Sequence, residues 1–147
     1  MSEHIVDISW IHAPSPLADN TYDRNHQVSF GNSQQVLASS APDFKGDPAG
    51  VDPEQLLISA LASCHMLTFL AIAELKGFEV KSYDDKARGF LEKGDSGRFE
   101  VTRIQLKPRI IFSGDKEPDA EALERMHASA HKNCFVANSI KTKVEIL

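Results

Sequence analysis

The apolar segment over residues 53–76 constrains the fold of this chain more than any other feature. Asp52 suits the N-cap of a helix, and Gln55 stands where it can complete a capping box. Gly77 suits the position just beyond a helix C-terminus, where the backbone turns left-handed. The pattern therefore predicts one long helix over 53–76.

This helix is apolar on more than one side. One stripe at helical spacing comprises Leu57, Ala60, Leu61, Cys64, Leu67, Thr68, Ala71 and Leu75. A second apolar set lies off that stripe and comprises Leu56, Ile58, Met66, Phe69, Leu70 and Ile72. A helix that is apolar all round must be buried on all sides, and a small domain has difficulty doing so alone. We therefore expect a homodimer that shares its core.

The rest of the chain predicts strands on both sides of this helix and a second helix near the end. Strands are expected over 4–12, 26–30 and 35–38, with a hairpin turn at Gly31-Asn32, and an irregular loop covers 39–51. Two or three strands follow within 78–112, then a helix over 118–133 and a last strand over 139–147. This order predicts an α+β fold with mainly antiparallel sheets, in a single domain over 1–147.

Composition narrows the classes of function. The 147 residues are 41% hydrophobic and 25% charged, as in ordinary globular proteins. A net charge of −5 disfavours nucleic acid as a partner. Polar residues such as Ser63, His65 and Glu74 interrupt the apolar segment, so we expect no membrane span. The first ten residues lack the basic region of a signal peptide, which favours a cytoplasmic protein.

The two cysteines, Cys64 and Cys134, are not a structural disulfide framework if the protein is cytosolic, because a static bridge would be reduced there. They are two inert core thiols, part of a metal site, or a cycling redox couple. Reactivity requires the thiolate, and Cys64 lies too far along the helix for the dipole to stabilise it. A cation is therefore needed from elsewhere. Arg24 is the candidate, although a lone arginine is more often a solvated surface residue.

Glu54 is a candidate site residue for a geometric reason. It precedes Cys64 by ten residues, which is about 15 Å along a helix, so it cannot touch that thiol in its own chain. It could reach the thiol of a second copy if two such helices pack antiparallel across a two-fold axis. There it would pair with Arg24 and orient the guanidinium over the sulfur. The alternative is a plain glutamate favoured by the helix N-terminus.

His127, His131 and Cys134 have a spacing that could place three ligands on one helical face, as in half of a zinc site. The neighbours Cys64 and His65 cannot both point at such a metal, and no second Cys-x-x-Cys is present. We therefore favour histidines that pack or hydrogen-bond near the site, and we expect no metal and no cofactor.

Three blocks of sequence resemble the OsmC/Ohr family, which comprises osmotically inducible protein C and the organic hydroperoxide resistance proteins. The blocks are Asp52-Pro53-Glu54-Gln55-Leu56-Leu57, Ala60-Leu61-Ala62-Ser63-Cys64-His65-Met66-Leu67 and Ala130-His131-Lys132-Asn133-Cys134-Phe135-Val136-Ala137-Asn138-Ser139. The Cys-His-Met sequence is closest to an OsmC-like branch. The resemblance implies an intertwined homodimer in which antiparallel sheets wrap two long central helices.

The resemblance also implies chemistry. It implies that Cys64 is the peroxidatic thiol, that Cys134 resolves it, and that Arg24 and Glu54 lie beside the first thiol. The activity implied is a cofactor-free peroxidase that reduces hydroperoxides, recycled by a dithiol such as a lipoyl-bearing protein. Apolar residues near Cys64, including Met66, favour organic hydroperoxides. The alternative is a redox-inert or redox-sensing dimer that binds a small apolar ligand.

Overall fold

The computed structural model describes residues 1–31 and 33–147, and it confirms the predicted α+β class. The two helices are α1 (Pro53–Leu75) and α2 (Ala120–Asn133). The strands are β1 (Val6–Ser9), β2 (His26–Phe30), β3 (Gln35–Ala38), β4 (Glu79–Asp85), β5 (Arg88–Lys93), β6 (Phe99–Leu106), β7 (Pro108–Ser113) and β8 (Lys143–Ile146). Short 3₁₀ turns cover Pro42–Phe44 and Ala137–Ser139. The chain divides into two compact units, residues 1–56 and 57–147.

The first unit contains an antiparallel sheet in the order β1-β2-β3. The predicted strands at 26–30 and 35–38 are confirmed. The predicted first strand over 4–12 was too long: β1 covers four residues, because it pairs only along the short β2, from Val6 opposite Phe30 to Ser9 opposite Gln27. The predicted turn at Gly31-Asn32 includes Asn32, which lies outside the described residues.

The second unit contains the remaining strands and α2. Four strands form where two or three were predicted, and they belong to two sheets, β4-β7 and β5-β6-β8. The last strand starts at Lys143 rather than at 139, because the chain first makes the 3₁₀ turn at Ala137–Ser139. It pairs parallel with β6, whereas the other strand pairs are antiparallel.

Both ends of α1 follow the predicted chemistry. The backbone N–H of Gln55 donates to Oδ1 of Asp52 at 2.7 Å, and the N–H of Asp52 donates to Oε1 of Gln55 at 3.0 Å, which completes the capping box. At the other end Gly77 has φ 76°, and the N–H of Phe78 donates back to the carbonyl of Ala73 at 2.9 Å. This left-handed closure satisfies carbonyls that the helix would otherwise leave unpaired.

Removing the N-cap acceptor should therefore destabilise α1. We expect Asp52→Ala to lower the free energy of unfolding by about 1 kcal/mol, because the backbone N–H of Gln55 loses its side-chain acceptor. Asp52→Asn retains a side-chain acceptor and should lose less than about half of that. Chemical denaturation of both variants measures the difference. Equal losses in the two variants would show that the cap contributes little.

The protomer buries one side of α1. The side chains buried there are Leu61, His65, Phe69 and Ala73. Leu67 and Leu75, which belong to the first apolar stripe of the sequence, are exposed. Burial of α1 on all sides is expected only in a homodimer, so it stays a prediction.

The apolar length of α1 has a second consequence. Over an 18-residue window its mean hydropathy is 2.0, so by length and composition alone it could cross a membrane. It also supplies the buried stripe of the second unit, which is the behaviour of a core helix. Only 22% of the window is buried, so much of its apolar surface lacks cover in the protomer.

Two apolar clusters form the core of the second unit. One contains Leu61, Ile104, Leu106 and Cys134, with Cys64 packed against it. The other contains Phe69, Ala73, Met126 and Ala130. Cys64 and Cys134 thus belong to one cluster, between α1, the strands of the β5-β6-β8 sheet and the end of α2.

Candidate active site

Both cysteines are free thiols, and they lie beside one another. Cys64 is partly buried in the middle of α1, whereas Cys134 is fully buried. Cys134 is the C-cap residue of α2, so the chain leaves the helix there with φ −73° and ψ 114°. The turn that follows brings the backbone N–H groups of residues 135–137 towards the two sulfurs.

The surroundings of Cys64 favour its thiolate. Burial raises the pKa of this thiol, but hydrogen bonds from the backbone N–H of Val136, the Cys134 thiol and the N–H of Phe135 outweigh burial, so that the pKa lies below its ordinary value. Thr68 makes the smallest of these contributions. Its hydroxyl has a single hydrogen, which it donates to the Cys64 carbonyl at 2.8 Å, so we attribute the lowered pKa to the other three donors.

Cys134 behaves in the opposite way. Burial first, and then its hydrogen bond to Cys64 and the negative charge there, raise the pKa of this thiol, although the N–H of Ala137 opposes the shift from 3.4 Å. Cys64 therefore ionises first, and Cys134 stays protonated beside it. This order gives one thiol the properties of a nucleophile and leaves the other as its hydrogen-bond donor.

Arg24 lies in the first unit, in the segment that leads to β2. Its guanidinium donates to the carbonyl of Tyr22 at 2.7 Å and to the hydroxyl of Thr21 at 3.2 Å, and it stacks 4.2 Å from the centre of the Tyr22 ring. It lines an open pocket of about 580 Å³ with Trp10, Tyr22, His26, Ser39, Ser40, Phe44 and Pro53. The guanidinium is thus held in a fixed orientation within an aromatic pocket.

Glu54 lies in the first turn of α1, as predicted. Among residues 1–31 and 33–147 of the protomer, no ion pair within 4.0 Å joins it to Arg24. The predicted pairing of these two side chains is therefore not made within one chain, and it stays a prediction for the dimer.

His127 packs and hydrogen-bonds, as predicted, whereas Nδ1 of His131 is buried with no hydrogen-bond partner among the described residues. Nε2 of His65 and Nδ1 of His127 are 3.0 Å apart, and the two rings are nearly parallel, at 7°, with their centroids 5.4 Å apart. Within the described part of the chain, no three His, Cys, Asp or Glu side chains converge as a metal site. His127 and His131 lie along the second half of α2 and Cys134 is its C-cap, and the three do not form a ligand set.

The sequence did not identify the donors that surround Cys64. A cation was expected, and the groups beside the sulfur are the backbone N–H groups of Phe135 and Val136. Backbone amides carry no residue signature, so this contribution cannot be read from a sequence.

Comparison with known proteins identifies the family. A model described as OsmC-like protein matches residues 45–147, which is most of the chain. The chain belongs to the OsmC-like family. The predicted resemblance is therefore confirmed, together with the fold.

This OsmC-like chain is similar to three proteins in particular. An OsmC-like protein of unknown function from Vibrio cholerae is 41% identical in sequence, and its structure matches with a TM-score of 0.93. The match covers 100% of this chain and 99% of that protein's chain. The uncharacterized protein YmaD of Bacillus subtilis (strain 168) is 24% identical over 84% of this chain and 83% of its own length. Peroxiredoxin OsmC of Escherichia coli (strain K12) is 29% identical over 70% of this chain and 68% of its own length.

Proposed function

We propose that this protein is a thiol peroxidase that reduces organic hydroperoxides to alcohols, with Cys64 as the peroxidatic thiol and Cys134 as the resolving thiol. The observation that carries the proposal is the order of ionisation of two adjacent free thiols. Backbone N–H groups lower the pKa of Cys64, while burial and the neighbouring charge raise that of Cys134. The similarity to peroxiredoxin OsmC supports it.

The chemistry has three steps. The Cys64 thiolate attacks the distal oxygen of ROOH, the O–O bond breaks, and the alkoxide takes a proton and leaves as ROH. Cys64 is now a sulfenic acid, and the Cys134 sulfur attacks it, forming the disulfide and releasing water that carries the Cys134 proton. An external dithiol then exchanges with the disulfide, is itself oxidised and restores both thiols. No cofactor takes part in this sequence.

Arg24 and Glu54 have supporting roles in this proposal. The guanidinium of Arg24 would stabilise the oxygen charge that develops as the O–O bond breaks. Glu54 would orient it across the two-fold axis of a homodimer. The uncovered apolar surface of α1 supports such a dimer, since a second copy would bury it. The proposal also treats residues 1–147 as one functional domain.

The proposed substrate follows from the residues around Arg24, and the proposed reductant follows from the chemistry of the disulfide. Aromatic residues line the Arg24 pocket, among them Trp10, Tyr22 and Phe44, and an apolar tail on the peroxide would pack there. This favours organic hydroperoxides over hydrogen peroxide, in defence against oxidative stress. A dithiol such as that of a lipoyl-bearing protein would supply electrons, and a reducing cytoplasm would keep the resting thiols reduced.

A thiol count tests the function directly. Adding one equivalent of cumene hydroperoxide to the reduced protein should remove both free thiols and lower the intact mass by two hydrogens, because a disulfide forms. Alcohol should appear in equal amount. Denaturing electrophoresis without reductant shows whether the disulfide lies within one chain. Thiols that survive the peroxide, with no alcohol formed, would refute the proposal.

The pocket beside Arg24 also supports a second candidate function. A dimer that binds a small apolar ligand without redox chemistry would use the same aromatic residues, Trp10, Tyr22 and Phe44. Under this alternative the thiols would stay unchanged after peroxide, and an apolar fluorophore would quench or shift the fluorescence of Trp10, the single tryptophan of the chain.

A further inference from the structure

The hydrogen-bonded pair formed by His65 and His127 has no part in the chemistry described above. His65 is 1% exposed, and His127 is 9% exposed. Nε2 of His65 and Nδ1 of His127 are 3.0 Å apart, and the His127 ring also packs on the Phe69 ring, with centroids 4.5 Å apart at 29°. Polar side chains in such a position are costly to bury unless they are paired.

The pair joins the two helices that bear the cysteines. His65 is the residue after Cys64 on α1. His127 lies on α2 seven residues, or about two turns, before Cys134. α2 is continuous from Ala120 to Asn133, and Cys134 is its C-cap. The position of His127 along the axis of α1 therefore determines the position of Cys134 along that axis.

The pair is suited to fix the position of α2 along α1, because both rings are neutral and the hydrogen bond between them depends on direction. Burial, and then the neighbouring His127 and His131, lower the pKa of His65 to about 4, and burial lowers that of His127. Two neutral imidazoles share one N–H between a donor and an acceptor nitrogen, so the bond weakens steeply with misalignment. A stack of apolar rings alone would tolerate sliding.

We propose that His65 and His127 are positioning residues that hold Cys134 at bonding distance from Cys64. The inference rests on the proposed resolving role of Cys134. A disulfide forms only when the Cα atoms lie about 4.4–6.8 Å apart with suitable Cβ directions. A slip of α2 by one turn, about 5.4 Å, would exceed that tolerance, and the hydrogen bond opposes such a slip.

The effective concentration of one thiol at the other, which sets how readily Cys64 and Cys134 form a disulfide, tests this positioning role without any peroxide. Reduced protein is equilibrated in buffers of reduced and oxidised glutathione, and the fraction of Cys64–Cys134 disulfide is read by thiol trapping and mass spectrometry. In His65→Leu the bond is lost, and we expect the effective concentration to fall by about tenfold or more, which makes the reduction potential about 30 mV less negative. In His65→Gln a side-chain amide can still bond to His127, and the fall should stay within about threefold.

Met126→Leu is the matched control, because Met126 is also fully buried on α2, next to His127, and its replacement conserves volume and makes no change in hydrogen bonding. Its potential should match the unmodified protein. Thermal unfolding of each reduced variant shows whether it is folded. If His65→Leu does not fold, the same comparison is made with His127→Leu against His127→Asn, since asparagine keeps a polar group near the Nδ1 position.

Two outcomes would overturn the inference. The first is an equal reduction potential of the disulfide in His65→Leu and His65→Gln. The second is a change in Met126→Leu as large as that in His65→Leu. Either would show that the pair acts only through general packing. Failure of the peroxidase proposal gives a different pattern: unmodified protein that forms the disulfide in glutathione buffers but keeps its thiols in cumene hydroperoxide. In that case the positioning role would stand and the activity would not.

Discussion

Cys64→Ser should abolish peroxide turnover, lowering the steady-state rate by a factor of about 10³ or more, because a serine hydroxyl is not ionised at neutral pH. The N–H groups of Phe135 and Val136, which lower the pKa of the thiol, cannot bring a hydroxyl into the range of neutral pH. The measurement is reduction of cumene hydroperoxide with excess dithiol.

Cys134→Ser separates the two thiol roles. This variant should complete one round of alcohol formation, because the Cys64 thiolate is still present, and then stop as sulfenic acid. With further peroxide, intact mass should show sulfinic and sulfonic forms of Cys64, which the unmodified protein avoids by closing the disulfide. Full turnover in Cys64→Ser, or no first round in Cys134→Ser, would contradict the assignment.

The local features of the fold were predictable because each depends on neighbours in sequence. Asp52, Gln55 and Gly77 define the ends of α1 through side-chain and backbone bonds that span only a few residues. Alternating apolar residues define β2 for the same reason. The order of these elements predicted the α+β class, which the structure confirms.

The site was only partly predictable, because its geometry depends on contacts distant in sequence. Seventy residues separate Cys64 from Cys134, and their proximity follows from the packing of α2 against α1. The donors to the Cys64 sulfur are backbone groups of a turn, which no residue pattern reveals. His65 was counted as a polar interruption of the helix, yet it is buried. Its Nε2 is hydrogen-bonded to His127, while its Nδ1 has no partner among the described residues.

The buried His65 imidazole should make folding stability depend on pH. The pKa of His65 is about 4 in the folded protein, against an ordinary value of 6.5, because burial and the adjacent His127 and His131 disfavour its cation. Above pH 6.5 the ring is neutral in both states, so stability is fully present. As pH falls from 6.5 towards 4, the unfolded chain binds a proton that the folded chain does not, and stability is lost. The loss should approach about 3 kcal/mol at pH 4.

Comparison with His65→Gln isolates this contribution, because carboxylates also titrate near the lower end of the range. Burial raises the pKa of Asp85, for example, which favours the folded state as pH falls and opposes the histidine effect. Such contributions are common to both proteins and cancel in the difference. Urea denaturation of the reduced proteins at pH 7, 6, 5 and 4 should therefore show the unmodified protein losing about 3 kcal/mol more than His65→Gln. Parallel pH profiles would mean that the His65 ring takes up its proton without leaving the folded state, and hence that its site is open to water.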